Sequence, residues 1–134
     1  MELNILRADP AGNITVFVLD PVEKAQRAAI AEKIMAIPAL KAEQVGYACA
    51  AEDDVDGHME MMGGEFCGNA TRAYGMYIAQ QKGGLSSVRL RVSGCDHAVT
   101  AQVDLKSGTA RAEMPCPRSV KRVTVNGHEG TLVD

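Results

Sequence analysis

Cys67 lies in the segment of this sequence whose residue types are best suited to chemistry, GGEFCGNATRAYGMYIA at residues 63–79. Two glycines precede the cysteine and a run of small and apolar residues follows it, so the thiol is predicted to begin a helix. Unpaired backbone N–H groups and the positive end of the helix dipole favour a thiolate there and a carboxylate bound beside it. The segment therefore predicts a thiol that transfers protons, with an inert core cysteine as the alternative.

The composition narrows the class of function. The 134 residues are enough for one domain, and the 46% that are apolar can fill its core. A net charge of −3 provides no basic surface for nucleic acid or for an anionic membrane. No apolar run approaches the roughly 20 residues that a transmembrane helix needs. We therefore expect a cytoplasmic protein that binds a small molecule and neither nucleic acid nor a membrane.

The other three cysteines indicate neither a disulfide framework nor a metal site. Cys49, Cys95 and Cys116 are far apart, no CxxC pair occurs, and the chain has only three histidines. Structural zinc sites and disulfide-rich domains both need closer or more numerous cysteines. We expect no bound metal, and we expect these three thiols to be small buried side chains.

A first helix is predicted from Pro21 to about Ile37. Asp20 precedes it as a possible N-cap, Glu23 completes a capping box, and Pro38 stops it. The periodicity assigns an inner face to Val22, Ala25, Ala29 and Ile34, and a solvent-exposed face to Glu23, Lys24, Arg27 and Glu32.

A second helix is predicted from about Cys67 to Gln81, ended by Gly83 and Gly84. It is apolar around most of its circumference, so other elements should enclose it. Strands are predicted at 14–20, 45–50, 58–62, 87–93, 98–105, 109–114 and 120–126. The predicted fold is α+β, with mixed and antiparallel strands wrapped around a central helix.

Several motifs occur in an order that identifies a family resemblance. They read PAGNITVFVLD, AEQVGYA, EFCGNATRA, RVSG and EMPCP. In this order they resemble the N-terminal half of the diaminopimelate epimerase family, which consists of racemases that need no cofactor. The resemblance implies an amino-acid racemase without pyridoxal phosphate, and a diaminopimelate epimerase-like lobe formed by residues 1–134.

The individual residues of the motifs are most similar to one branch of that superfamily. EFCGNAT, EQVGY, VSGC and the pair Met114-Pro115 are similar to the histidine racemases of opine-type metallophore biosynthesis. After the CGN triplet the chain reads ATRA, where diaminopimelate epimerases read GARC. We therefore rank histidine racemase above diaminopimelate epimerase.

Racemisation explains the residues at the predicted helix start. One group must remove the Cα proton and another must return a proton to the opposite face, which a thiolate and a thiol can do together. The resemblance assigns one of these two cysteines to Cys67. It also implies that the backbone N–H groups of Gly68 and Asn69 hold the substrate carboxylate while negative charge develops on it.

Three further residues match substrate-binding positions of the family. Asn13 and Gln44 would hydrogen-bond polar groups of the substrate, and the carboxylate of Glu43 would face an imidazole and so favour histidine. The alternatives are a turn residue with positive φ for Asn13, and a solvated loop for Glu43 and Gln44.

The chain also departs from the family. Gly64 stands where related chains often carry asparagine, so one substrate-binding side chain is lost. Family members have two pseudo-symmetric lobes and carry the second catalytic cysteine in the C-terminal lobe, whereas no second glycine-flanked cysteine of that type occurs here.

We therefore expect an N-terminal lobe that is inactive alone and needs the missing C-terminal lobe. One alternative is a short protein that pairs two copies across one cleft. Another is a non-catalytic ligand-binding or interaction module.

Overall fold

A computed structural model describes residues 1–134 and confirms the α+β class. The strands are β1 (Ile5–Ala8), β2 (Thr15–Val18), β3 (Gln44–Cys49), β4 (Gly57–Met61), β5 (Ser87–Val92), β6 (Val99–Asp104), β7 (Thr109–Ala112), β8 (Val120–Val125) and β9 (His128–Val133). The helices are α1 (Arg27–Met35), which follows a 3₁₀ turn (Lys24–Gln26), and α2 (Gly68–Gln81). All seven predicted strands are present with slightly shifted ends, while β1 and β9 were not predicted.

Strands β1 to β7 form one mixed sheet in sequence order, and β8 and β9 form a separate hairpin. Two neighbouring pairs are parallel, β2 with β3 and β4 with β5, and the other pairs are antiparallel. Parallel neighbours need a crossover connection, which α1 supplies for the first pair and α2 for the second. The two helices pack against opposite faces of the sheet. The core around α2 contains Phe17 of β2, whereas the core around α1 contains its neighbours Val16 and Val18, and successive residues of a strand face opposite sides.

Helix α2 is enclosed by residues of the sheet, as its apolar circumference predicted. Its buried residues are Ala70, Thr71, Tyr74, Gly75, Ile78 and Ala79. The core around it includes Phe17 of β2, Met59 of β4, Leu90 of β5 and Val103 of β6. The sheet is thus wrapped around a central helix. The C-terminal end of α2 is capped by a hydrogen bond in which Gly84 N donates to Ala79 O at 2.8 Å.

The prediction for the first helix was partly wrong. Asp20 does not cap it, because its carboxylate accepts hydrogen bonds from the backbone and side chain of Asn4. The α-helix begins only at Arg27 and ends at Met35. Its buried residues are Ile30, Ala31 and Ile34, whereas the predicted inner residues Ala25 and Ala29 are exposed.

Arg27 was expected on the solvent-exposed face but is half-buried against the sheet. Its guanidinium pairs with the carboxylate of Glu60 on β4 and lies 5.2 Å from the ring centroid of Tyr47. This hydrogen bond lowers the pKa of Glu60 below its ordinary value of 4.5. The ion pair therefore fixes α1 to the outer face of β3 and β4.

The stability of the chain should depend on this pair in a pH-dependent way. A carboxyl with a lowered pKa stabilises the fold above its ordinary pKa, and this contribution is lost as the pH falls through the lowered value. We expect Glu60→Gln to reduce the free energy of unfolding by about 1 kcal/mol or less at pH 7. Thermal melts at several pH values should show this difference shrinking in acid; a difference that stays constant would contradict the assignment.

The β8–β9 hairpin turns at Asn126 and Gly127, which both have positive φ, as is typical of an Asn-Gly hairpin turn. The prediction that all three other cysteines are buried was wrong. Cys116 is exposed between two prolines, and Cys49 and Cys95 are half-buried. None of the helices is both long and apolar enough to cross a membrane.

Candidate functional site

Cys67 is the N-cap of α2 and precedes the helix in an extended conformation, with φ −131° and ψ 112°. Its Sγ accepts a hydrogen bond from Ala70 N at 3.4 Å, and its carbonyl accepts from Thr71 N at 2.9 Å and from Thr71 Oγ1 at 2.8 Å. Cys67 is half-buried. A cysteine thus occupies the capping position that serine, threonine or aspartate usually fills.

The first two N–H groups of α2, those of Gly68 and Asn69, are next to the thiol in sequence. The N–H groups of Ala70 and Thr71 bond to Cys67, whereas those of Gly68 and Asn69 belong to the first turn and have no acceptor within the helix. An anion bound there would be stabilised by these N–H groups and by the helix dipole.

A cleft of about 450 Å³ opens in front of this helix start. Its lining residues are Phe66, Cys67, Gly68, Asn69, Arg72, Ala112 and Met114. Arg72 is the one charged residue among them, and its Nε donates to Asn69 Oδ1 at 3.2 Å. The cleft therefore combines a thiol, free backbone donors and one cation, which suits a small carboxylate ligand.

Two predicted site residues from two other segments meet at the thiol. Gln44 Nε2 lies 3.2 Å from Cys67 Sγ, and Asn13 Oδ1 lies 3.9 Å from it. Asn69 Nδ2 donates to the same Asn13 oxygen at 3.3 Å. Glu43 does not contact the sulfur; its Oε2 accepts from Asn13 Nδ2 at 2.9 Å.

These contacts place all six predicted residues in one group. Gly68 follows Cys67 directly, and Asn13 and Gln44 reach the thiol because the start of β3 lies beside the turn before β2. The alternative for Asn13 was wrong in part: its N–H closes the turn by donating to Pro10 O at 3.3 Å, but positive φ occurs at Ala11 and Gly12 and not at Asn13.

Sequence reasoning did not identify the residues that position the segment directly before Cys67. Ser93 Oγ donates to Glu65 O at 2.7 Å and accepts from Met61 N at 2.8 Å. Gly94 has φ +73°, and a Cβ placed on it would lie 2.2 Å from Phe66 N. The end of β5 therefore packs directly against the peptide bond that leads into the site. The RVSG motif was recognised as part of the resemblance, but its physical role was not.

Thr15 was also not identified. Thr15 is fully buried on β2, and its hydroxyl lies 2.7 Å from Gln44 Nε2. A threonine among the apolar residues of ITVFVLD was the available signal. Tyr74 lies one helical turn after Ala70, the residue that donates to Cys67 Sγ. Burial raises the pKa of the Tyr74 hydroxyl to about 12. Its hydroxyl therefore stays protonated near neutral pH and is not the base of this site.

Comparison with known proteins gives consistent matches over nearly the whole chain. A family model described as the histidine racemase CntK N-terminal domain matches residues 2–133. A histidine racemase of Fusobacterium nucleatum is 31% identical over 140 residues, which cover 98% of this chain and 50% of the relative. A histidine racemase of Staphylococcus aureus is 32% identical over 122 residues, which cover 88% of this chain and 44% of the relative.

These matches confirm the resemblance to histidine racemases that the motifs indicated. The chain spans about half the length of these relatives.

Proposed function

This chain belongs to the histidine racemase CntK N-terminal domain family, and on that premise we propose that it supplies one half of a histidine racemase active site. In this proposal Cys67 transfers the Cα proton. The observation that carries it is a half-buried cysteine that caps the N-terminus of α2 and lines the cleft, beside two backbone N–H groups that have no acceptor within the helix.

The proposed reaction has two proton transfers. A thiolate on one face of the substrate takes the Cα proton, and a thiol on the opposite face returns a proton to the resulting carbanion. Cys67 performs one of these two roles, so its sulfur ends each turnover in the opposite protonation state. The direction is reversed for the other enantiomer.

The carboxylate of the substrate would bind at the start of α2. As the Cα proton leaves, negative charge moves onto this carboxylate, and the N–H groups of Gly68 and Asn69 stabilise it. The side chain of Arg72 adds positive charge on the same side of the cleft. Stabilisation of this kind replaces the electron sink of pyridoxal phosphate, so the proposed mechanism uses no cofactor.

The second proton-transferring group must come from outside this cleft wall. Cys67 is the one cysteine among the lining residues, which include no histidine and no carboxylate. We propose that the remaining half of a longer protein provides the second thiol, since the relatives are about twice as long. A second copy of this chain, facing the first, is the alternative source.

Exchange of the Cα hydrogen tests the proposed function. L-histidine in heavy water is incubated with this chain alone and with a polypeptide of the relatives' full length, and proton NMR follows the Cα signal. We expect loss of the signal with the longer polypeptide, and exchange by the chain alone would assign the second thiol to another copy. Binding without exchange in both samples would contradict a racemase, and faster exchange of diaminopimelate would contradict the substrate.

Glu43 provides a test of substrate choice. Its Oε2 is bound to Asn13, while Oε1 is not part of that contact and is proposed to face the imidazole of histidine. We expect Glu43→Gln to raise KM for histidine about tenfold, because a hydrogen bond to a charged group is replaced by a neutral one. Steady-state kinetics on histidine measure this effect, and an unchanged KM would exclude the contact.

A further inference from the structure

Three side chains of types that bind metal ions meet on the outer face of the sheet. They are Cys49 at the end of β3 and His58 and Glu60 on β4. The core around α2 contains Met59 and Met61 of β4, so His58 and Glu60, which alternate with them, face the opposite side. The sheet therefore separates this cluster from the cleft at the start of α2, and the proposed racemase chemistry does not use it.

The register of β3 and β4 brings the three side chains together. Cys49 pairs directly with His58, and Tyr47 pairs with Glu60. Residues i and i+2 of a strand project from the same face, so one antiparallel pair of strands positions all three groups. Both strands lie inside the sheet, between β2 and β5, and side chains on such strands are held more precisely than side chains on loops.

The distances within the cluster suit a zinc ion. Zinc binds sulfur at about 2.3 Å and nitrogen or oxygen at about 2.0–2.2 Å, so neighbouring ligand atoms in a tetrahedral site lie about 3.3–3.8 Å apart. His58 Nε2 and Glu60 Oε1 are 3.6 Å apart. The sulfur of Cys49 lies no further than 4.8 Å from the other ligand atoms, so a shift of about 1 Å would complete the site.

Arg27 already contacts two members of the cluster. Its guanidinium pairs with Glu60 Oε2, and its Nη2 lies 3.6 Å from Cys49 Sγ. The other carboxylate oxygen, Oε1, is the one that faces His58. A second hydrogen-bond donor commonly holds a carboxylate that binds a metal, so Arg27 can keep Oε2 while a metal binds Oε1. The guanidinium then remains over the ring of Tyr47.

The surroundings provide room and balance of charge. Cys49 and Arg27 line a cavity of about 420 Å³, which leaves space for a water molecule as a fourth ligand. A cysteine thiolate and the carboxylate of Glu60 would neutralise a divalent cation. Arg91, which pairs with His58 across β4 and β5, is neutralised by Asp54 at 3.2 Å.

We propose that Cys49, His58 and Glu60 form a binding site for Zn²⁺, in which Arg27 orients the carboxylate of Glu60. On binding, the thiol of Cys49 loses its proton to solvent and coordinates as a thiolate. The combination of sulfur, nitrogen and oxygen ligands favours zinc over Mg²⁺ or Ca²⁺, which bind oxygen. The metal would join β3 to β4 on the side where α1 packs.

This proposal departs from the expectation of no bound metal, which the sequence alone supports. Cys49 and His58 form no short ligand motif, and an acidic turn separates them in the chain. Only the pairing of their strands makes them neighbours.

The test uses Co²⁺ as a coloured substitute for zinc. The metal-free, reduced chain is titrated with Co²⁺, and absorption is recorded in the near-ultraviolet and visible ranges. We expect one equivalent to bind, with a sulfur-to-cobalt band and the visible bands of a four-coordinate site, and we expect Zn²⁺ to displace it. Cys49→Ser should remove the sulfur band, and His58→Gln should weaken binding at least tenfold. A wild-type chain without these bands would overturn the proposal.

The exposed turn after β5 provides a matched control, because Cys95, Asp96 and His97 offer the same three types of ligand. We expect Cys95→Ser and His97→Gln to bind cobalt within about twofold of the wild-type affinity. A sulfur band that survives Cys49→Ser, or that is lost in Cys95→Ser, would place the metal elsewhere and overturn the proposal.

Thermal melts give a second measurement that needs no coloured metal. At a zinc concentration 100 times the dissociation constant, the Tm of the wild-type chain should rise by about 10 °C, because zinc binds the folded state. The same zinc concentration should raise the Tm of His58→Gln much less, and circular dichroism confirms that this variant is folded. Equal rises in both proteins would contradict a site that contains His58.

Discussion

Replacing Cys67 with serine is expected to lower kcat for histidine racemisation by roughly 100-fold to 10,000-fold, the range typical for loss of a general acid or base. A serine hydroxyl retains the N-cap hydrogen bond to Ala70, so α2 should stay intact. It does not ionise near neutral pH, however, and so cannot remove the Cα proton. Chiral chromatography of histidine incubated with the catalytically complete protein measures the rate.

Cys95→Ser is the matched control for this experiment. Cys95 is also half-buried, but it follows Gly94 in the turn after β5 and does not line the cleft. We expect its replacement to leave kcat within about twofold of the wild-type value, since surface substitutions away from the site have small effects. Racemisation that survives Cys67→Ser, or that is lost equally in both variants, would contradict the assignment of Cys67.

Gly94→Ala is expected to have the largest effect on the architecture of the site. The added Cβ would lie 2.2 Å from Phe66 N and 2.7 Å from Glu65 C, and both are backbone atoms that cannot move aside alone. Positive φ costs alanine about 1–2 kcal/mol, and overpacking adds typically 1–3 kcal/mol. We expect the free energy of unfolding to fall by about 2–5 kcal/mol and racemisation to be lost with it.

Gly108→Ala separates the two contributions to this loss. Gly108 has a similar φ of +68°, but no atom lies within 4 Å of the Cβ position. Its replacement should cost only the backbone strain, about 1–2 kcal/mol, and should not affect activity. Chemical denaturation of both variants gives the comparison. Equal losses of unfolding free energy in the two variants would show that the contact between Gly94 and the peptide before Cys67 does not affect stability.

Local signals were sufficient to predict α2 and the position of its thiol. The glycine pair, the cysteine and the apolar run that follows are contiguous, and the two glycines after Gln81 mark the helix end. The hydrophobic pattern likewise located the strands from β2 to β8. These elements are specified by neighbouring residues, so a single sequence is enough to find them.

The start of α1 could not be predicted from local signals, because a distant residue decides it. Asp20 and Pro21 form a plausible helix start, yet Asn4 on the neighbouring chain segment occupies the carboxylate of Asp20. The helix begins instead at Arg27, where an ion pair with Glu60 of β4 fixes it to the sheet. Tertiary contacts here override a good local capping signal.

In the candidate site, too, some features follow from local sequence signals and others depend on distant contacts. Local signals predicted Cys67, the family resemblance added Asn13, Glu43, Gln44, Gly68 and Asn69, and the structure places all six together. The bonds between them join Asn13, Gln44 and Cys67, which are more than twenty residues apart in sequence, so no periodicity or spacing reveals them. Thr15 and Ser93 act through such contacts alone, which is why sequence reasoning did not identify them.

A crystal structure of the catalytically complete Cys67→Ser protein with bound histidine tests most directly whether residue 67 and the start of α2 contact the amino acid. We expect the carboxylate of histidine to accept hydrogen bonds from the backbone N–H groups of Gly68 and Asn69. We also expect the serine oxygen to lie within about 3.5 Å of Cα, on one face of the amino acid. A histidine bound with its carboxylate elsewhere, or with Cα out of reach of residue 67, would contradict the proposed role of Cys67 and of the start of α2.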